Sequence, residues 1–135
     1  MGVVLAACMG PRAAGSAGEA EPLAGTSWEL AELNGQPAAS ASGVGALTLV
    51  FGADGRASGN GGCNQFGGPY TQDGAALRFG PLVSTRRACV DPAGNNRETT
   101  YLRALESTTR FSATAERLEL YSGDQVVARL WRSEG

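Results

Sequence analysis

Three cysteines, Cys8, Cys63 and Cys89, have the most chemistry to offer in this sequence, because a thiol can serve as nucleophile, metal ligand or half of a disulfide. Their usual helpers are absent. The chain has no histidine, and all 11 basic residues are arginine, so it can build neither a Ser-His-Asp nor a Cys-His pair, no imidazole metal site, no Schiff base and no P-loop lysine. Arg86 and Arg87 stand beside Cys89 and could lower its pKa, but no histidine is there to act as general base. Zinc would need two further soft or nitrogen ligands. Asp91 and Glu98 are the carboxylates that could form an acid/base pair, yet nothing in their spacing fixes both on one face, and surface solvation accounts for them. No catalytic residue is therefore assigned, and neither a metal nor a cofactor is expected.

With Cys8 set aside, Cys63 and Cys89 are an even pair, and in an exported chain such a pair reads first as a disulfide, two buried free thiols being the plain alternative. A crosslink closing that loop is worth roughly 3.5 kcal/mol in the chain-entropy model, a large share of the ~5 to 15 kcal/mol of a whole domain. The loop around Cys63, Ser58-Gly59-Asn60-Gly61-Gly62-Cys63-Asn64-Gln65-Phe66-Gly67-Gly68, is rich in glycine but lacks the spacing, lysine and acidic residue of a phosphate cradle. Glycines that let a strand turn a corner explain it better, with Asn64 satisfying its own backbone in the bend.

The expectation of export comes from the amino end. Leu5-Ala6-Ala7-Cys8 resembles a bacterial lipobox, in which small residues precede the cysteine that receives diacylglycerol. A signal peptide has a basic n-region and about 7 to 15 apolar residues, which Met1 to Ala7 do not supply. Residues 1–8 are therefore expected to be a truncated lipoprotein signal. Cys8 is the expected lipidation site and the lipid anchor the expected attachment to a membrane, since no segment reaches the ~18 apolar residues of a membrane span. Residues 9–22, mostly Gly, Ala, Pro, Ser and Glu, read as a flexible tether. Met9 stands where an aspartate would favour inner-membrane retention, so the outer membrane, facing the periplasm, is the expected address. A formal net charge of -2 argues against nucleic acid, which needs a basic face.

The elements that must position these residues are short strands. From Leu23 onward, alternating apolar and polar residues are followed by turn pairs such as Asn34-Gly35, Asp54-Gly55, Asp73-Gly74 and Gly123-Asp124, the pattern of antiparallel hairpins. Strands are predicted over 27–33, 46–51, 56–59, 69–72, 76–79, 110–114, 117–121 and 125–132. Inward sets are Trp28 with Leu30, Leu47 with Leu49 and Phe51, Leu77 with Phe79, and Leu118 with Leu120. A helix is predicted over 95–106, with Asn95 and Glu98 as a capping box and Tyr101, Leu102 and Leu105 as its apolar stripe, which Glu98 begins. The fold expected is mainly β: a small antiparallel barrel or half-barrel with one α-helix packed on it.

Leu23-Ala24-Gly25-Thr26-Ser27-Trp28, the Leu33-Asn34-Gly35 turn, Gly62-Cys63-Asn64-Gln65-Phe66 followed by Tyr70, and Phe79-Gly80-Pro81-Leu82 with Ser84-Thr85-Arg86 and Ala88-Cys89 together resemble the META domain family, also called HslJ-like. The resemblance covers residues 23–133, and Gly62, Cys63, Asn64, Phe66, Tyr70, Thr85, Arg86 and Cys89 carry it most specifically. Arg87 departs from the pattern, where the family usually has Met. The resemblance implies a β fold lipocalin-like in outline with one helix. It further implies an envelope-associated or secreted bacterial protein, often a lipoprotein, linked to heat shock or drug tolerance, with virulence-linked relatives and without established catalytic residues.

Three functions follow as expectations. The first is a non-enzymatic, lipid-tethered envelope module acting in stress or drug tolerance through an envelope protein partner or by stabilising an assembly. The second is a small-ligand binder at the mouth of a barrel, with Trp28, Phe66, Tyr70 and Trp131 as apolar contacts and Arg86 as polar anchor. A barrel of this size can be filled by its own side chains, and these aromatics are then core. The third is a thiol enzyme using Cys63 or Cys89. Rapid alkylation of the native protein would favour the thiol enzyme, and protection until reduction would favour the disulfide.

Overall fold

The structure is a computed structural model that describes residues 22–38, 46–85 and 92–133. Cys8, Arg86, Cys89 and Asp91, and all but the last residue of the expected tether, lie outside the described residues. In chain order the elements are β1 (Thr26–Leu33), β2 (Gln36–Pro37), β3 (Thr48–Phe51), β4 (Arg56–Asn60), β5 (Gln65–Asp73), β6 (Ala76–Phe79), β7 (Val83–Ser84), α1 (Pro92–Ser107), β8 (Arg110–Ala113), β9 (Arg117–Ser122) and β10 (Gln125–Arg132). The strands pair antiparallel in a single sheet of order β10-β9-β8-β6-β5-β4-β3-β1-β2, with β7 beside β5. That sheet curves in a ring, because β1 also pairs with β10. Among the described residues, the expectation of a mainly β, curled antiparallel sheet with one helix is met.

The turn chemistry follows the sequence. Asn34 and Gly35 both hold positive φ, 51° and 82°, the conformation a two-residue type I′ hairpin needs and one that asparagine and glycine tolerate best. Within the ring, alternate residues are buried. Leu118 and Leu120 of β9 face inward with Glu119 outside, and Trp28, Leu30, Leu49, Phe51, Leu77 and Phe79 join them in one core.

The short strands β2 and β7 lie outside the predicted strands, and two boundaries differ from the sequence reading by more than two residues. The first is β5, which begins at Gln65 rather than 69: glycine disfavours strand on its own, but here Gly67 and Gly68 pair with β4 on one side and Gly67 with β7 on the other. The second is α1, which begins at Pro92, where a proline N–H is not missed. Asn95 therefore lies inside the helix instead of capping it, and the capping-box role expected of Glu98 is not the one it plays.

Packing places α1 across one end of the ring. It contacts β1, β6, β9 and β10, while Tyr101 donates its hydroxyl to the Thr48 carbonyl of β3 at 2.8 Å and meets Phe66 of β5 edge to face at 5.7 Å between ring centroids. Tyr101, Ala104 and Leu105 are buried, the apolar stripe that lets one helix cover an opening without supplying a whole core. Among the described residues no helix is long and apolar enough to cross a membrane.

Candidate functional site

The Gly62-Cys63-Asn64 motif forms the connection between β4 and β5, and its bend is set locally. The Asn60 side chain accepts the Gly62 N–H at 2.9 Å, Gly62 takes a φ of 111°, and the Gly61 N–H donates to the Asn64 carbonyl at 2.8 Å. This leaves the N–H groups of Cys63 and Asn64 turned toward α1. There Glu98 Oε2 accepts both, at 3.1 and 2.7 Å, and its Oε1 accepts the Asn64 amide Nδ2 at 2.8 Å.

The other end of Asn64 is also held, since the Thr85 hydroxyl donates to its Oδ1 at 2.8 Å. Thr85 then closes the arrangement through its own N–H, which donates to the Gln65 carbonyl at 3.0 Å. Glu98 and Asn64 are only 7% and 6% exposed, so the carboxylate exchanges water for three fixed N–H donors, the condition under which a buried anion is tolerable. Gly61 is required by this approach: a Cβ there would stand 2.7 Å from Glu98 Oε2. Such a clasp orders the loop. Both carboxylate oxygens accept hydrogen bonds from the loop.

The structure brings Gly62, Cys63, Asn64 and Thr85 together, whereas Arg86 and Cys89 lie outside the described residues. Among the aromatic residues considered as ligand contacts, Trp28, Phe66 and Tyr70 are packed into the core, and filling the ring is what occupies them. Phe51 and Tyr70 meet edge to face at 5.0 Å. The Tyr70 hydroxyl donates to the Gly52 carbonyl at 2.8 Å, and burial, with the Asp54 charge nearby, raises its pKa. Burial likewise pushes the Tyr101 hydroxyl well up. Among the described residues no three metal-ligating side chains gather.

Trp131 is the exception, 51% exposed on the outside of the ring. Glu29, Trp131 and Arg117 form one cross-strand row over β1, β10 and β9, with the Arg117 guanidinium 5.3 Å from the indole centroid. In the next row Arg129 bonds Glu32 at 2.8 Å and Glu119 at 2.7 Å. The hydrogen bond from Arg129 holds the Glu119 carboxyl below its usual range, with the Tyr121 hydroxyl and the Arg129 and Arg117 charges acting in the same direction against burial. Ala31, Glu32, Arg117, Arg129 and Trp131 line a depression of about 260 Å³.

Sequence reasoning missed the long-range partner of Glu98 and a second depression at α1. Asn64 and Glu98 are 34 positions apart, and no periodic signal links them. Helical spacing did put Glu98 on the buried stripe with Tyr101 and Leu105.

Residues 21–134 match the model of the META domain. Among solved structures, the chain is similar to an NMR structure of a protein from Burkholderia xenovorans, at 31% identity and TM-score 0.68, covering 84% of this chain and 85% of that one. A second protein solved by NMR is 26% identical with TM-score 0.62, covering 79% and 89% of the two chains. The fold alone is shared with a crystal structure of a DUF4847 family protein from Bacteroides vulgatus, at 16% identity and TM-score 0.56, covering 84% and 96%. No curated protein matches the chain. Ring, helix and clasped Gly-Cys-Asn loop thus sit within one matched stretch, and the chain belongs to the META domain family.

Proposed function

We propose that this META-domain protein is a non-catalytic module of the bacterial cell envelope, tethered by a lipid at Cys8 to the outer membrane and facing the periplasm, which serves stress or drug tolerance by binding a protein partner. The observation that carries the partner is Trp131. It stands half-exposed beside Arg117 and Arg129 on the outer face of β9, β10 and β1, while the aromatics inside the ring are used for packing. Tryptophan and arginine dominate the energetics of protein interfaces. The absence of histidine and lysine and the structural use of Glu98 support a role without catalysis.

An oxidising compartment suits a Cys63–Cys89 crosslink, which we include in the proposal. Thr85 is bonded to Asn64 and Gln65, and Glu98 to the N–H of Cys63. Cys89 lies four residues after the first of these anchors and nine before the second, and four residues reach at most about 14 Å.

A photoreactive residue at Glu29, across from Trp131, tests the partner in the native host. One protein should be captured from this position, lost when Trp131→Ala is added, and not captured from Arg78, an exposed residue of β6. Capture that ignores Trp131→Ala would overturn the reading. The mass of the protein from native membranes should show an acylated amino terminus at Cys8, and an unprocessed Met1 would refute the address.

A further inference from the structure

We propose that the depression between the first hairpin and α1 binds a small organic carboxylate, anchored by Arg97. This site is separate from the Trp131 face and does not depend on the partner-binding reading. The depression, of about 340 Å³, is lined on one side by Leu33, Asn34, Gln36, Pro37 and Ala38 and on the other by Asn96, Arg97 and Thr100 of α1, a volume in the range of small-molecule sites. Arg97 Nη1 is buried and has no hydrogen-bond partner among the described residues. A guanidinium cannot discard its proton to escape that situation, and buried donors are as a rule paired. An acceptor entering the depression that Arg97 lines supplies that partner once the side chain turns toward it.

The surroundings narrow the class of ligand. A carboxylate matches the arginine fork in charge and geometry, and the amide groups of Asn34, Gln36 and Asn96 with the Thr100 hydroxyl add neutral polar contacts around the mouth. Leu33, Pro37 and Ala38 offer an apolar wall, which a bare inorganic anion would leave uncovered. A carboxylate carried on a short apolar body uses both halves.

Titration of the ¹⁵N-labelled full-length chain, followed by NMR, tests this with acetate, butyrate, hexanoate, hexanamide and inorganic phosphate as probes. Saturable shifts are expected at Asn34, Gln36, Asn96 and Thr100 and at the Arg97 side chain. Affinity should rise about fourfold per added methylene until the wall is covered. Hexanamide, and hexanoate with Arg97→Gln, should bind weaker by roughly tenfold or more. Gln36→Trp, at an exposed position of β2, fills the mouth without touching the core and should abolish binding even if Arg97→Gln fails to fold. The proposal is overturned by the absence of saturable shifts at these residues, by hexanoate binding that survives Arg97→Gln and Gln36→Trp, or by phosphate binding as tightly as hexanoate.

Discussion

Glu98 couples the helix to the loop that carries the family motif, and it does so with both carboxylate oxygens. Glu98→Gln would turn an acceptor into a donor facing donors. We expect a loss of about 1 to 3 kcal/mol in urea denaturation at neutral pH, and a change below about 0.5 kcal/mol would show that the clasp is not needed. This residue also marks where the sequence stops being legible. Its place on the apolar stripe was readable from spacing with Tyr101 and Leu105, but the local capping pattern with Asn95 suggested the wrong partner. The partner lies across the ring, and the clasp exists only once β4 and β5 have folded. Asn64 and Thr85 were visible as members of a motif, yet the hydrogen bond between them was not.

At the scale of elements, hairpins were legible because period-two burial and turn pairs are both local signals. The Gly67-Gly68 segment was not, since its strand conformation is imposed by neighbours rather than by its own side chains. Turn geometry gives a direct check. Asn34 sits at positive φ, so Asn34→Val should cost about 1 to 2 kcal/mol in the same denaturation assay, whereas Asn34→Gly should change little. The β1, β10 and β9 face gives another. Glu119 titrates below its usual value of 4.5 in the fold, so the unfolded chain takes up its proton first as pH falls. Its contribution is complete above that usual value and is lost as pH drops through the lower folded value. Wild-type Tm should therefore fall more steeply on acidification below about pH 4.5 than that of Glu119→Gln, and parallel curves would contradict the assigned role of the Arg129 hydrogen bond.

Seen whole, the molecule separates an inside that is filled from an outside that is available for contact. Trp28 and Trp131 differ in this respect despite both lying on paired edge-closing strands. Trp28→Ala should destabilise by about 3 to 5 kcal/mol, while Trp131→Ala should stay within about 0.5 kcal/mol, both read from thermal unfolding. Equal losses would remove Trp131 from consideration as a contact residue. We propose that the Gly62-Cys63-Asn64 loop is a structural clasp with a crosslinked sulfur and not a reactive site. Alkylation of the native protein taken from its envelope, read by intact mass, tests it most directly. Cys63 and Cys89 should stay unlabelled until a reductant is added and then both be labelled, and rapid labelling of Cys63 before reduction would rule out the crosslink.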